Sequence, residues 1–334
     1  MSDLLRVTPS GLYCEAGGFY IDPWRPVERA VVTHAHSDHA RPGSKRYLCS
    51  SACAPFVRLR CGEESAISCL EFGERRTING VTLSLHPAGH ILGSAQVRVE
   101  HQGEVWVVTG DYKTEPDPTV EPFELVRCHT LITECTFGLP VYRWPEARTE
   151  FERINAWWAA NQSAGRTSVL MGYSLGKAQR LLAGVDAGLG PIFAHGAVLG
   201  PTQAYRDQGI RLPPVRPVSE APLDVDWPRA LVVAPPGAEA TPWMRRFRES
   251  ATAFASGWMA VRGIKRRRGV ERGFVISDHV DWPALMEVVS ATGASRVLTT
   301  HGYSAVVAKH LSERGLDSAP LETQFRGEAE EEGA

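Results

Sequence analysis

The segment Thr33-His34-Ala35-His36-Ser37-Asp38-His39 constrains this chain more than any other. It follows the apolar run Ala30-Val31-Val32, so three imidazoles and a carboxylate gather within six residues at the carboxyl end of a β-strand. A turn at that point lets alternate side chains face two neighbouring positions. Neutral imidazole and carboxylate are ligands for zinc, and they also accept manganese. A lone histidine in a polar turn reads as a solvated side chain. An H-x-H-x-D-H cluster behind a strand reads as a metal site, and the expectation is two divalent cations, zinc first and manganese second.

Two more segments extend it. Pro87-Ala88-Gly89-His90 ends a strand, and its glycine permits a tight backbone bend. Thr109-Gly110-Asp111 ends another. Taken singly, a strand-end His or Asp is a cap or a surface group; beside the first cluster both become candidate ligands. Asp111 can bridge two cations, because a carboxylate has two oxygens with lone pairs for both. Asp22 ends a strand with no ligand beside it and reads as an acceptor that holds an imidazole N–H.

Before residue 135 the chain is rich in short strand-like runs: Leu12–Glu15, Phe19–Asp22, Arg29–Thr33, Val81–His86, Ala95–Glu100, Glu104–Thr109 and Leu131–Glu134. Few helices separate them, which suggests stacked sheets. The texture changes near Pro145. The helix Thr149–Ser163 carries Phe151, Ile154, Trp157 and Trp158 at helical spacing, and strands at Thr167–Gly172, Pro191–Ala194, Ala230–Val233 and Thr252–Ala255 alternate with the segments Leu175–Val185 and Pro201–Gln208 in a parallel α/β pattern. A strand Phe274–Ser277, a helix Trp282–Thr292, a strand Arg296–Thr299 and a helix Ser304–Arg314 follow.

Length and composition bound what these motifs can serve. The 334 residues fit one large domain or two of ordinary size. A net charge of −2 does not announce a polyanion partner, so any nucleic-acid surface must be a local basic patch. Seven cysteines, an odd number at irregular spacing, do not form a disulfide framework. The four between Cys49 and Cys69 lack a C-x2-C knuckle and read as reduced core thiols rather than a zinc cluster. Residues 1–10 hold no apolar run for export, and no stretch of 18 apolar residues exists, so the expectation is a cytoplasmic chain without a membrane partner.

Asp22, the His34–His39 cluster, His90 and Asp111 match in order the leading motifs of the metallo-β-lactamase superfamily, which the chain therefore resembles. The resemblance implies an αββα four-layer sandwich of α/β class with a dinuclear site at one sheet edge. A histidine near the C-terminus normally completes such a site, and His301 in Val297-Leu298-Thr299-Thr300-His301-Gly302 supplies it; His310 competes but sits within a helix. Two further segments resemble the β-CASP branch, which acts on nucleic acids and inserts an α/β cassette. Its acidic motif falls on Glu134 and its histidine motifs on His279 and His301. The resemblance then implies a metallo-β-lactamase domain of residues 1–145 and 271–334 and a cassette of 146–270.

On that basis His34, His36 and His90 would hold one cation, Asp38, His39 and His301 the other, with Asp111 between them. Asp38, His279 and Glu134 are the candidate catalytic groups, His279 as general acid and Glu134 behind it. In Tyr173-Ser174-Leu175-Gly176-Lys177 a strand leads into a helix N-terminus, which favours a phosphate, so Ser174, Gly176 and Lys177 are candidate phosphate contacts. The run Lys265, Arg266, Arg267 and Arg268 is a second candidate. Several stretches, among them Tyr173–Arg180 and Gly273–His279, are similar to bacterial ligase-associated DNA exonucleases, proteins of mRNA 3′-end processing factor type. That similarity implies a DNA exonuclease in repair, with a DNA ligase and a helicase as partners. An RNA-cleaving β-CASP enzyme is the alternative, and a non-catalytic nucleic-acid binder a third reading.

Overall fold

The computed structural model describes residues 3–239, 241–261, 263 and 271–323. Lys265, Arg266, Arg267 and Arg268 lie outside the described residues. The chain gathers into two compact units: one takes it up to Pro140 and resumes at His279, and the other runs from Val141 to Asp278.

The first unit is built on two sheets. In one, β1 (Arg6–Thr8), β2 (Gly11–Cys14), β3 (Phe19–Ile21), β4 (Ala30–Val31), β5 (Tyr47–Ser50) and β6 (Ile67–Leu70) lie side by side in chain order. The other holds β7 (Arg75–Ile78), β8 (Val81–Pro87), β9 (Ala95–His101), β10 (Glu104–Val108), β11 (Thr130–Glu134), β18 (Arg296–Thr300) and β19 (Asp317–Pro320), in the order β19-β18-β11-β10-β9-β8-β7. One core brings Leu12, Phe19, Val31 and Leu48 of the first sheet against Leu83, Val97, Trp106 and Ile132 of the second.

Successive strand residues point to opposite faces, and the second sheet uses both. Trp106 and Val108 join the inter-sheet core, whereas Val105 and Val107 join another with Leu285, Val289, Val307 and Leu311. Those four residues come from the helices Trp282–Thr292 and Ser304–Ser312. The same alternation separates Ile132 from Leu131 and Leu298 from Val297. On the first sheet, the parallel pair β5 and β6 is joined through the helix Ala54–Cys61, the crossover that parallel neighbours require. Helices and two facing sheets thus make up the α/β class expected.

Strand direction decides where the site can form. β8 and β10 both run antiparallel to β9, and β10, β11 and β18 are mutually parallel. Their four carboxyl ends therefore lie along one edge. In the first sheet β3 and β4 are also parallel. The turn after β4 is tied to the second sheet where Ala95 N donates to Thr33 O.

The second unit carries a sheet ordered β14-β13-β15-β12-β16-β17, formed by β12 (Thr167–Met171), β13 (Ile192–Ala194), β14 (Arg216–Pro217), β15 (Leu231–Ala234), β16 (Ser250–Ala255) and β17 (Arg272–Phe274), with every pair parallel. Both faces are buried. Leu170, Leu231, Val233 and Ala253 pack with Ile154, Trp158, Leu181 and Val198, while Val169, Val232 and Phe254 pack with Val218, Phe247 and Met259. Strands buried on both faces read as continuous apolar runs, which is why the parallel pattern was visible.

Two expectations need correction here. The strand expected at Phe274–Ser277 is Arg272–Phe274 instead, because its neighbour β16 ends at Ala255 and offers no ladder beyond. That strand belongs to the second unit, so the border lies after Asp278 rather than at 270. No helix among the described residues is long and apolar enough to cross a membrane.

Candidate metal centre

Five strand ends deliver the site. Asp22 follows β3, Thr33 to His39 follow β4, His90 follows β8, Asp111 follows β10, and His301 follows β18. His34, His39, His90, Asp111 and His301 are buried; His36 and Asp38 are half-buried. Gly89 and Gly110 make two of the turns possible. Both have positive φ, and a Cβ on Gly89 would stand 2.2 Å from the Lys113 carbonyl oxygen, one on Gly110 2.7 Å from the Thr33 side chain.

Four non-glycine described residues adopt positive φ. Asn79 and Gln102 occupy two-residue hairpin turns between β7 and β8 and between β9 and β10. Asp22 at 43° and His301 at 58° sit in no hairpin. Such conformations cost about 1–3 kcal/mol and gather at functional sites, where surrounding structure enforces them.

The candidate ligand atoms fall into two neighbouring groups, with a third beside them. His34, His36, His90 and Asp111 form the first, Asp38, His39 and His301 the second, with ligand atoms in each group within 4.8 Å of one another. In the first, His36 Nδ1 lies 3.2 Å from His34 Nε2 and 3.1 Å from His90 Nε2. Ligand atoms on a tetrahedral zinc, at about 2.0–2.1 Å bonds, stand roughly 3.3 Å apart. Asp111 Oδ2 lies 3.6 Å from His34 Nε2 and 3.5 Å from His39 Nε2, and its Oδ1 lies 4.0 Å from His301 Nε2. That buried Oδ1 accepts no hydrogen bond among the described residues. Its position, and a donor set of neutral imidazoles and carboxylates, fit a pair of cations.

A layer behind the ligands fixes their tautomers. Asp22 Oδ1 accepts from Thr33 N at 2.8 Å, and its Oδ2 accepts from the Thr33 hydroxyl at 2.6 Å and lies 2.7 Å from His39 Nδ1. A carboxylate only accepts, so His39 Nδ1 carries its proton and Nε2 faces the ligands. The single hydroxyl proton of Thr33 goes to Asp22. Its contact of 3.1 Å to His34 Nδ1 must then be a bond that the imidazole donates, leaving His34 Nε2 as a lone-pair donor. Thr33 was missed as a functional residue; its place immediately before His34 is the only signal the sequence carried.

Electrostatics follow from burial and neighbours. Burial, with the positive neighbours His39 and His90, holds His34 well below its ordinary imidazole value, in the neutral form that coordinates. Burial also lowers His301. For Asp111, burial favours the protonated acid, but His39 and His301 outweigh it and keep the carboxyl well below its usual range. Burial opposes charge on His39 too, and there the carboxylates Asp38, Asp111 and Asp22 win, raising it well above its ordinary value.

Asp111, Glu134 and His279 form the third group, whose ligand atoms lie within 4.8 Å of one another. Glu134 ends β11 and is wholly buried; its Oε1 accepts from Tyr112 N at 2.8 Å. His279 Nδ1 lies against the same carboxylate, and its ring packs 4.6 Å, centroid to centroid, from His90.

The candidate phosphate cradle is corrected. The amide of Gly176 donates to Gln179 Oε1 at 2.7 Å, and Lys177 is 0% exposed with Nζ 2.9 Å from Asp278 Oδ2. Neither group is free to meet a phosphate, because the helix Lys177–Gly184 spends its first turn on its own loop and on Asp278. Ser174 is half-buried, and its carbonyl accepts from Gln179 Nε2.

No family model matches the chain. A probable DNA ligase of Opitutus terrae is 34% identical over 313 residues, which is 92% of this chain and 30% of the relative. The endoribonuclease ysh1 of Aspergillus fumigatus is 33% identical over 123 residues, covering 36% of this chain and 14% of the relative. An RNase J-like protein of Methanocaldococcus jannaschii is 26% identical over 211 residues, 54% of this chain and 50% of the relative. The chain thus spans half or less of the length of these relatives. A solved structure of a protein of unknown function from Enterococcus faecalis V583 superposes with a TM-score of 0.59 at 10% identity, over 89% of this chain and 79% of that one, a likeness of fold alone.

Proposed function

Because the chain belongs to the β-CASP branch of the metallo-β-lactamase superfamily, we propose that it is a two-metal nuclease that hydrolyses DNA phosphodiester bonds, as an exonuclease in repair. The observation that carries the reading is the placement of Asp111 between two ligand groups with the Glu134–His279 pair beside it. His34, His36 and His90 would hold one cation, Asp38, His39 and His301 the other, and Asp111 would touch both. Bound there, two divalent cations, zinc or manganese, supply an activated water and neutralise charge on the phosphate.

The chain's own residues do the rest. Asp22 and Thr33 present His39 and His34 in the coordinating tautomer. His279 protonates the leaving oxygen from Nε2, and Glu134 fixes the ring and favours the imidazolium. Asp38, half-buried beside His39, is the third candidate catalytic group. The run Lys265 to Arg268 carries the proposal of phosphate contact, now without Lys177.

DNA is favoured because the relative alike over 92% of this chain is a probable DNA ligase, which also motivates a ligase, and with it a helicase, as partners in one repair system. The second reading, an RNA-cleaving enzyme, is motivated by endoribonuclease relatives over about a third of the chain. Incubating metal-loaded protein with end-labelled single strands of DNA and RNA of one sequence separates the two. A DNA ladder supports the first and cleavage of RNA alone the second. No cleavage of either would overturn both.

A further inference from the structure

Two buried cations share one carboxylate in the second unit. Lys177 Nζ lies 2.9 Å from Asp278 Oδ2, and an Arg180 guanidinium nitrogen lies 3.3 Å from Oδ1. The same guanidinium donates to the carbonyl oxygen of Ser277. All three side chains are at most 6% exposed. Burying charges in this way contributes little net stability compared with apolar packing, and its best-attested use is to enforce one arrangement.

What the cluster enforces is the course of the chain at Ser277 and Asp278. These residues lie beyond β17, so no sheet ladder holds them. Side chains hold them instead. Val275 N donates to the buried Glu150 at 2.9 Å, and Arg180 and Lys177 grip the next turn of chain. The gripping helix is itself anchored, since Gln179 accepts from Gly176 N and donates to Ser174 O and Thr202 Oγ1. The residue that follows Asp278 is His279.

We infer that Lys177, Arg180 and Asp278 form a clamp that positions His279. They touch no reacting atom. Their influence passes through the Asp278–His279 peptide bond, by fixing where and in which direction the backbone presents that histidine. The inference rests on the reading of His279 as general acid. It also explains the otherwise wasteful burial of a lysine and an arginine on one short helix.

Arg180→Met tests the clamp in the metal-loaded protein. It releases Ser277 while the Lys177–Asp278 ion pair stays in place. Turnover is measured on DNA and on a nitrophenyl phosphodiester, whose leaving group needs no proton. The expected result is a loss of about tenfold or more on DNA with little change on the nitrophenyl ester, within the range a general acid contributes, and with metal content unchanged. Arg180→Lys keeps the charge without the guanidinium fork and should fall between. Lys177→Met leaves Arg180 in place and should cost less. Equal losses on both substrates, or wild-type activity on DNA, would overturn the clamp. His279→Ala is the control. If it shows the dependence on leaving group and Arg180→Met does not, the clamp alone fails. If His279→Ala lacks that dependence, the general-acid reading fails and the clamp with it.

Discussion

His279 Nδ1 lies 2.9 Å from each carboxylate oxygen of Glu134, although 145 residues separate the two in the chain. Neither is needed to complete the two ligand groups around Asp111. His279→Ala should therefore keep both metals while activity on DNA falls about 10²–10⁴-fold, the usual contribution of a general acid. Glu134→Gln should cost less, since it keeps one acceptor for a carboxylate that serves both His279 and Tyr112 N. Single-turnover rates with metal analysis check this. Loss of a metal in His279→Ala would make the histidine a ligand instead.

Elemental analysis of unchelated protein should find two transition-metal ions per chain. Asp111→Ala should lower the occupancy of both sites, because its carboxylate lies within 4.0 Å of His34 in one ligand group and of His39 and His301 in the other; His301→Ala should mainly empty one. A protein that takes up no metal on reconstitution would end the two-metal reading.

The hydrogen bonds behind the ligands predict a graded series. Thr33→Val removes the acceptor for His34 Nδ1 at nearly constant volume, and Asp22→Ala removes the acceptor for His39. Each should weaken metal affinity about 10–100-fold, the usual cost of losing such a partner. Competition titrations with a chromogenic chelator measure it. Unchanged affinity in both variants would mean that the tautomers are set by something other than Asp22 and Thr33.

Burial pushes the Cys128 thiol up to about 11 from 9.0. A group whose value is raised on folding adds stability below its unfolded value and loses it as pH climbs toward the folded one. The contribution should be constant to about pH 9 and disappear by about pH 11. Native protein at pH 8 should resist iodoacetamide at Cys128, and denaturant should expose it; mass spectrometry of the labelled peptides decides. Rapid native labelling at that residue would contradict the burial.

The clustering of the candidate ligands was legible because each follows an apolar run that ends in a turn, a purely local signal in His34 to His39, His90, Asp111 and His301. Strands such as Val81–Pro87 and Leu231–Ala234 were legible from their apolar residues. Tyr47–Ser50 and Ile67–Leu70 were not, since serine and cysteine interrupt any alternation, and they are recognisable only from the pairing of Cys49 with Cys69. The helix that begins at Gly196 was expected only from Pro201. His195 starts it earlier by accepting from Ala197 N. Lys177 read as a phosphate ligand because its partner Asp278 lies far along the chain, and local spacing cannot report an ion pair closed by tertiary structure.

The alternation along β10 leaves its own mark on how this sequence can vary. Val105 and Val107 belong to one core, Trp106 and Val108 to another, and Asp111 waits just beyond the strand's end. Exchange of one apolar side chain for another disturbs a single layer. Insertion or deletion of one residue between 104 and 108 would turn the tryptophan toward the helices, the valines toward the facing sheet, and the bridging carboxylate away from its histidines. Length variation in this part of the gene should therefore be confined to its hairpin at Gln102–Gly103 and to the long connection that precedes β11.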